Sequence, residues 1–220
     1  MTAGQSPAGT PAEQLADRAY FGLRDRIVDL RLPPGSTLRE DELMRDMGIG
    51  RTPLREAVKR LALEHLVEVR PRRGTIVTDV HPEDIARFAE VRAELEAHAA
   101  RLAAERMPDE LRQEAALLAA ELDAAPADAE ALMRLDERIH RLAWHATRNP
   151  YLVATLEGYW ALSLRVWHLV LDRVPSLPGA VHEHVALLDA LLSGDGARAE
   201  AVMREHVEAF ERQVLDAIGT

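Results

Sequence analysis

"GIGRTPLREAVKRL", residues 48–61, holds a helix end, a tight turn and a new helix in fourteen residues. Gly48 fits the position just past a helix's final turn, where a left-handed residue is favoured. Thr52 is placed to cap the next helix, and Pro53 falls where its missing N–H costs least. Leu54, Val58 and Leu61 give that helix an apolar face. Its other positions carry Arg51, Arg55, Lys59 and Arg60.

Reading outward completes a small domain. Residues 1–13, "MTAGQSPAGTPAE", are small, polar and rich in Pro and Gly, and read as a disordered tail. Leu15, Ala19, Leu23, Ile27 and Leu30 predict a helix over 14–30, stopped by "RLPPGS". "TLREDELMRDMG", residues 37–48, reads as a short helix with Thr37 as cap and Glu40 closing a capping box. After Leu63 the period changes. Val67, Val69 and Thr75 to Val77 predict two short strands joined by "PRRG". Three helices and a hairpin make a winged helix-turn-helix over residues 14–80.

Residues 81–220 read as helical throughout, with segments near 82–106, 108–123, 127–147, 150–173, 178–193 and 196–217. Pro108, Pro126, Pro150, Pro175 and Pro178 mark entries or breaks, and "SGDG" makes the last reversal. The predicted fold is therefore mainly α: an N-terminal winged helix-turn-helix and a C-terminal antiparallel α-helical bundle.

The chain of 220 residues has no cysteine, which excludes disulfides, iron–sulfur clusters and thiol nucleophiles. It shows no membrane-spanning run and no apolar leader, so a cytoplasmic protein with no membrane partner is expected. Net charge is −10, but unevenly spread. Residues 1–80 hold 13 basic and 12 acidic groups, and residues 81–220 hold 14 and 25. The excess of basic groups falls within residues 51–73, seven against three. That placement suits the phosphate backbone of DNA. In a recognition helix, Arg51, Thr52 and Arg55 face base edges in the major groove. Lys59 serves phosphate, Arg72 and Arg73 sit at the wing tip where Gly74 permits a tight turn, and Arg39 adds a backbone contact.

Four potential metal ligands lie in the second half. Asp136 and His140 are one helical turn apart, and His184 and His206 flank the "SGDG" reversal. Three His and one carboxylate suit a divalent transition metal such as zinc, with nickel or manganese as alternatives, better than calcium. Arg92 and Arg165 interrupt mostly apolar helices. A buried Arg needs an anionic partner, either a bound organic acid or an internal carboxylate. Trp144, Trp160 and Trp167 line a pocket or fill a core. No GxSxG, P-loop or dinucleotide fingerprint is present, so an enzyme is not expected. Two other readings stay open: an effector-independent DNA-binding dimer with a structural helical domain, and a metalloenzyme acting on a small carboxylate.

Four stretches carry a family likeness: residues 30–77 from "LRLPPGSTLRED" to "RRGTIV", then "EVRAELEAHAARLAAERM", "LDERIHRLAWHATRNPYL" and "EHVALLDALLSGDGARAEAVMREHVEAF". Together they resemble the GntR family of bacterial transcription regulators, in its FadR group with an FCD-type ligand domain of the shorter, VanR-like six-helix form. The resemblance implies a homodimer on a palindromic DNA operator, acting as a repressor. It implies metal ligation by Asp136, His140, His184 and His206, and DNA reading by Arg51, Thr52, Arg55 and Gly74. It implies that Arg92 meets the carboxylate of a small organic or sugar acid whose binding releases DNA. Three positions depart from the pattern: Gly50 stands for a usual Ser, His65 for a usual Gly, and Asp41 for a basic residue.

Overall fold

The computed structural model describes residues 10–124, 129–170 and 183–218. Residues 1–9 of the expected tail lie outside that range, as do 127–128, 171–173 and 178–182 of the expected helices. Packing divides the described chain into two units. The first runs to Val80 and also takes Ala161–His168; the second holds His81–Trp160 and the chain from Leu169.

In the first unit, α1 spans Pro11–Val28, α2 Glu40–Met47 and α3 Arg51–Leu63. Strands β1, Val67–Arg70, and β2, Gly74–Val77, form the wing. Helix α1 starts earlier than the expected tail boundary, because Thr10 and Glu13 form a reciprocal capping box. It ends at Val28, and Leu30 takes a left-handed φ of 61°. Ala19, Leu23 and Ile27 line its buried face and meet Leu54, Ala57, Val58 and Leu61 of α3.

Two expected caps are not formed. Thr37 makes an isolated antiparallel bridge to Ile76, so α2 begins at Glu40 with Arg39 as an N-cap whose side chain makes no capping hydrogen bond. Pairing with the wing has outcompeted local capping. Helix α3 starts two residues early, with Gly50 as N-cap, which puts Thr52 and Pro53 inside its first turn. Gly48 caps α2 at φ 60°, as its position predicts. The wing pairs Val67 with Val77 and Arg70 with Gly74. Val67 is buried and Val69 is 60% exposed on the same strand face, so the hairpin runs beyond the core.

In the second unit, α4 spans Pro82–Arg106, α5 Asp109–Asp123, α6 Ala129–Ala146, α7 Pro150–Val170, α8 His184–Ser193 and α9 Gly196–Ile218. Asn149 caps α7 by accepting from the Tyr151 and Leu152 amides. Gly194, at φ 75°, ends α8, and Asp195 caps α9 by accepting from the Arg198 amide. The core lies between α4, α6, α8 and α9, with α5 against α6 and α8. Ala93, Ala100 and Ala104 keep α4 slim where it runs along α9. No described helix is long and apolar enough to cross a membrane.

One domain expectation is corrected. Ala161–His168, placed by sequence in the helical bundle, packs with the first unit. Ala161 joins its core, and Arg165 reaches the end of the wing.

Candidate metal centre and DNA-reading face

Helix α6 presents Asp136, His140 and Trp144 along one stripe, because residues four apart share a helix face. Helix α8 supplies His184 from its first turn and α9 supplies His206. All four candidate ligands are buried, and one donor atom from each lies within 4.8 Å of the others. The His140 Nε2 stands 3.3 Å from the His184 Nε2 and 3.4 Å from the His206 Nε2. Asp136 Oδ1 lies 3.4 Å from the His184 Nε2 and 3.8 Å from those of His140 and His206.

Glu96 on α4 decides how this cluster is protonated. Burial alone would raise its pKa, but the Arg92 guanidinium and the His140 ring overcome that and hold the carboxyl down to about 2. An ionised carboxylate only accepts hydrogen bonds. The His140 Nδ1 contacting it therefore donates, and the His140 Nε2 faces the cluster. His206 is similar, with its Nδ1 3.3 Å from the Glu183 Oε2. Burial, then His184, His140 and Arg92, push the His206 pKa well below its usual value, so its ring is neutral. Imidazole nitrogens from three helices thus face one another in a buried site, an arrangement that suits a cation. Ligands about 2.1 Å from a shared ion stand roughly 3–3.4 Å apart, so the donor set and its spacing fit a transition metal.

Arg92 is buried, donates from Nε to Glu96, and lies 5.4 Å over the Trp160 ring. Trp144 donates to Glu96 at 3.2 Å. Sequence reasoning missed Glu96 and the orienting role of Glu183. The four-residue step from Arg92 to Glu96 was the available signal, but such pairs are common on exposed helix faces.

Arg165, expected beside an effector, is engaged at Thr78. Its Nη1 donates to the Thr78 Oγ1 at 2.9 Å and its Nη2 to the Thr78 carbonyl. Burial pushes its pKa down to about 10, while Asp79 acts the other way. The anionic partner that a buried Arg was expected to need is largely replaced by neutral acceptors.

In the first unit, Arg39, Arg51, Thr52, Arg55, Lys59, Arg72, Arg73 and Gly74 are all exposed. Arg39 pairs with Glu42 at 3.1 Å and Lys59 with Glu56 at 2.8 Å. Asp41 lies 3.9 Å from Arg51. Arg55, Arg72 and Arg73 form no ion pair among the described residues. Arg72 and Gly74 take φ values of 64° and 81° at the wing tip.

A winged helix-turn-helix followed by a helical bundle around a polar, ion-compatible centre defines a ligand-responsive DNA-binding regulator. The gntR family of bacterial regulatory proteins matches residues 15–77, and the FCD domain matches residues 87–209. The chain belongs to the GntR/FCD family of transcriptional regulators, a non-catalytic class. It is 30% identical to a probable D-xylose utilization operon transcriptional repressor of Paenarthrobacter nicotinovorans, over 84% of this chain and 81% of that one. It is 29% identical to the galactonate operon transcriptional repressor of Escherichia coli K12, over 91% and 96%. The fold is shared with E. coli McbR/YncC at a TM-score of 0.79 and 22% identity, covering 92% of this chain and 97% of that one.

Proposed function

We propose that this regulator is a cytoplasmic homodimeric repressor of the FadR group, with a VanR-type ligand domain. It binds a palindromic operator and leaves it when a small organic or sugar acid is bound. The observation that carries the sensing half is the convergence of four buried donor atoms from three helices within 4.8 Å. Asp136, His140, His184 and His206 would hold a divalent transition ion, zinc first, with nickel or manganese as alternatives. Such an ion supplies a Lewis-acid position for a carboxylate oxygen. Arg92 adds a fixed positive charge beside that position, and Glu96 keeps both Arg92 and His140 oriented. The operon names of two relatives, D-xylose utilization and galactonate, favour a sugar-derived acid. Arg165 is left out of the acid site, because its guanidinium is engaged at Thr78.

In the DNA-reading half, Arg51, Thr52 and Arg55 would meet base edges. Arg39, Lys59, Arg72 and Arg73 would meet the phosphate backbone, with Gly74 allowing the wing its turn. Asp41 beside Arg51 competes with phosphate for that guanidinium.

Elemental analysis of protein purified without an affinity tag tests the centre. About one transition ion per chain is expected, and His184→Ala should lose it. Equal metal content in both proteins would remove His184 from the ligand set. Titrating operator affinity by fluorescence anisotropy against sugar acids then tests the response. An acid that weakens operator binding must itself be bound more weakly, by the same factor, in the operator complex.

A further inference from the structure

Three described side chains carry a buried nitrogen with no hydrogen-bond partner: Arg141, Arg165 and Trp160. The two arginines use their other guanidinium nitrogens, Arg141 on Glu137 and Glu157 and Arg165 on Thr78. Trp160 has a single polar atom, the indole Nε1, and it is a donor only. With the residue only 3% exposed, that N–H has no protein acceptor among the described residues. Leaving such a donor unpaired is among the costlier omissions in a folded protein.

Its position is informative. The Trp160 ring lies 5.2 Å from the His140 ring and 5.4 Å from Trp144, and the Arg92 guanidinium stands 5.4 Å over it. The neighbouring indole of Trp144 is already satisfied by Glu96. The indole that carries this orphan donor therefore lies among the groups assigned to ion and acid.

We propose that the Trp160 N–H donates to a second oxygen of the bound acid, a hydroxyl set beside its carboxylate. The site thereby selects hydroxy acids over their deoxy counterparts. This rests on the acid-binding reading given above. Trp160 is a specificity-determining residue, whereas Arg92 and the ion read only the carboxylate that both kinds of acid share.

The test compares acids that differ by one hydroxyl, L-malate with succinate and L-lactate with propionate. Binding to the zinc-loaded full chain is measured by calorimetry, for the native protein and for Trp160→Phe. Phenylalanine keeps an aromatic ring in the site and removes the donor. The native protein should favour the hydroxy acid of at least one pair by about fivefold to tenfold. In Trp160→Phe that ratio should fall to near one, with zinc content unchanged. Because the ratio is taken within each protein, a general packing loss in the variant cancels. A hydroxyl preference that survives in Trp160→Phe overturns the proposal, since it then comes from the ion. Acids bound without any hydroxyl preference in the native protein also overturn it, and mean that water satisfies the N–H. Failure of all four acids to bind counts first against the acid-site reading, and against this proposal with it.

Discussion

Glu96 touches three side chains that differ in chemistry: a guanidinium, an imidazole and an indole. Its charge balances Arg92 and fixes the His140 tautomer, so its removal has two separable effects. Glu96→Gln keeps the shape and removes the charge. Groups that orient a metal-binding His typically contribute 10–100-fold to affinity, and a loss of about that size is expected in competition with a chromogenic chelator. Stability should fall as well, by about 3–5 kcal/mol in chemical denaturation, because Arg92 is left buried without its anion. Unchanged metal affinity with lowered stability would restrict Glu96 to pairing Arg92. The four clustered residues, Asp136, His140, His184 and His206, were legible in the sequence as a group, since a four-residue step on one helix and two His flanking a glycine reversal are local patterns. Glu96 and Glu183 were not, because each contacts a residue of another helix. His65 carries a related lesson. Its usual Gly would suit the φ of 59° found there, yet His holds that angle, with its carbonyl accepting from the Thr78 Oγ1.

Among the elements, α4 and α9 form the most extensive helix pair. Ala100 is fully buried in that core, and small residues along α4 set how near the helices lie. Ala100→Leu should lower stability by about 1–3 kcal/mol through overpacking. Urea unfolding would show it, and a neutral result would mean that the core has room to give. The helices of the second unit were readable because Pro108, Pro150 and "SGDG" punctuate them with fixed backbone chemistry. The caps of α2 and α3 were misread for the opposite reason. A threonine hydroxyl can cap a helix, but Thr37 bridges Ile76, a partner 39 positions away that no local window contains.

For the whole molecule, a chain of net charge −10 must meet a polyanion. Binding therefore depends on a few exposed cations rather than on overall attraction. If Arg72 meets a phosphate, Arg72→Ala should reduce the slope of log affinity against log salt by about 0.9 per protomer. An unchanged slope would take the wing tip off the backbone. The sequence reading drew a single border, after residue 80. The first unit is in fact assembled from two separate stretches, because Ala161–His168 returns to it. Excising the DNA-reading half after Val80 would therefore remove part of its own packing. Thr78 would lose the Arg165 donors, and the cavity left by Ala161 would open to water. Such a fragment should melt at a lower temperature and be cut faster by protease than the same residues within the intact chain. Grafting this reading head onto another sensor would require carrying that eight-residue stretch of α7 along with it.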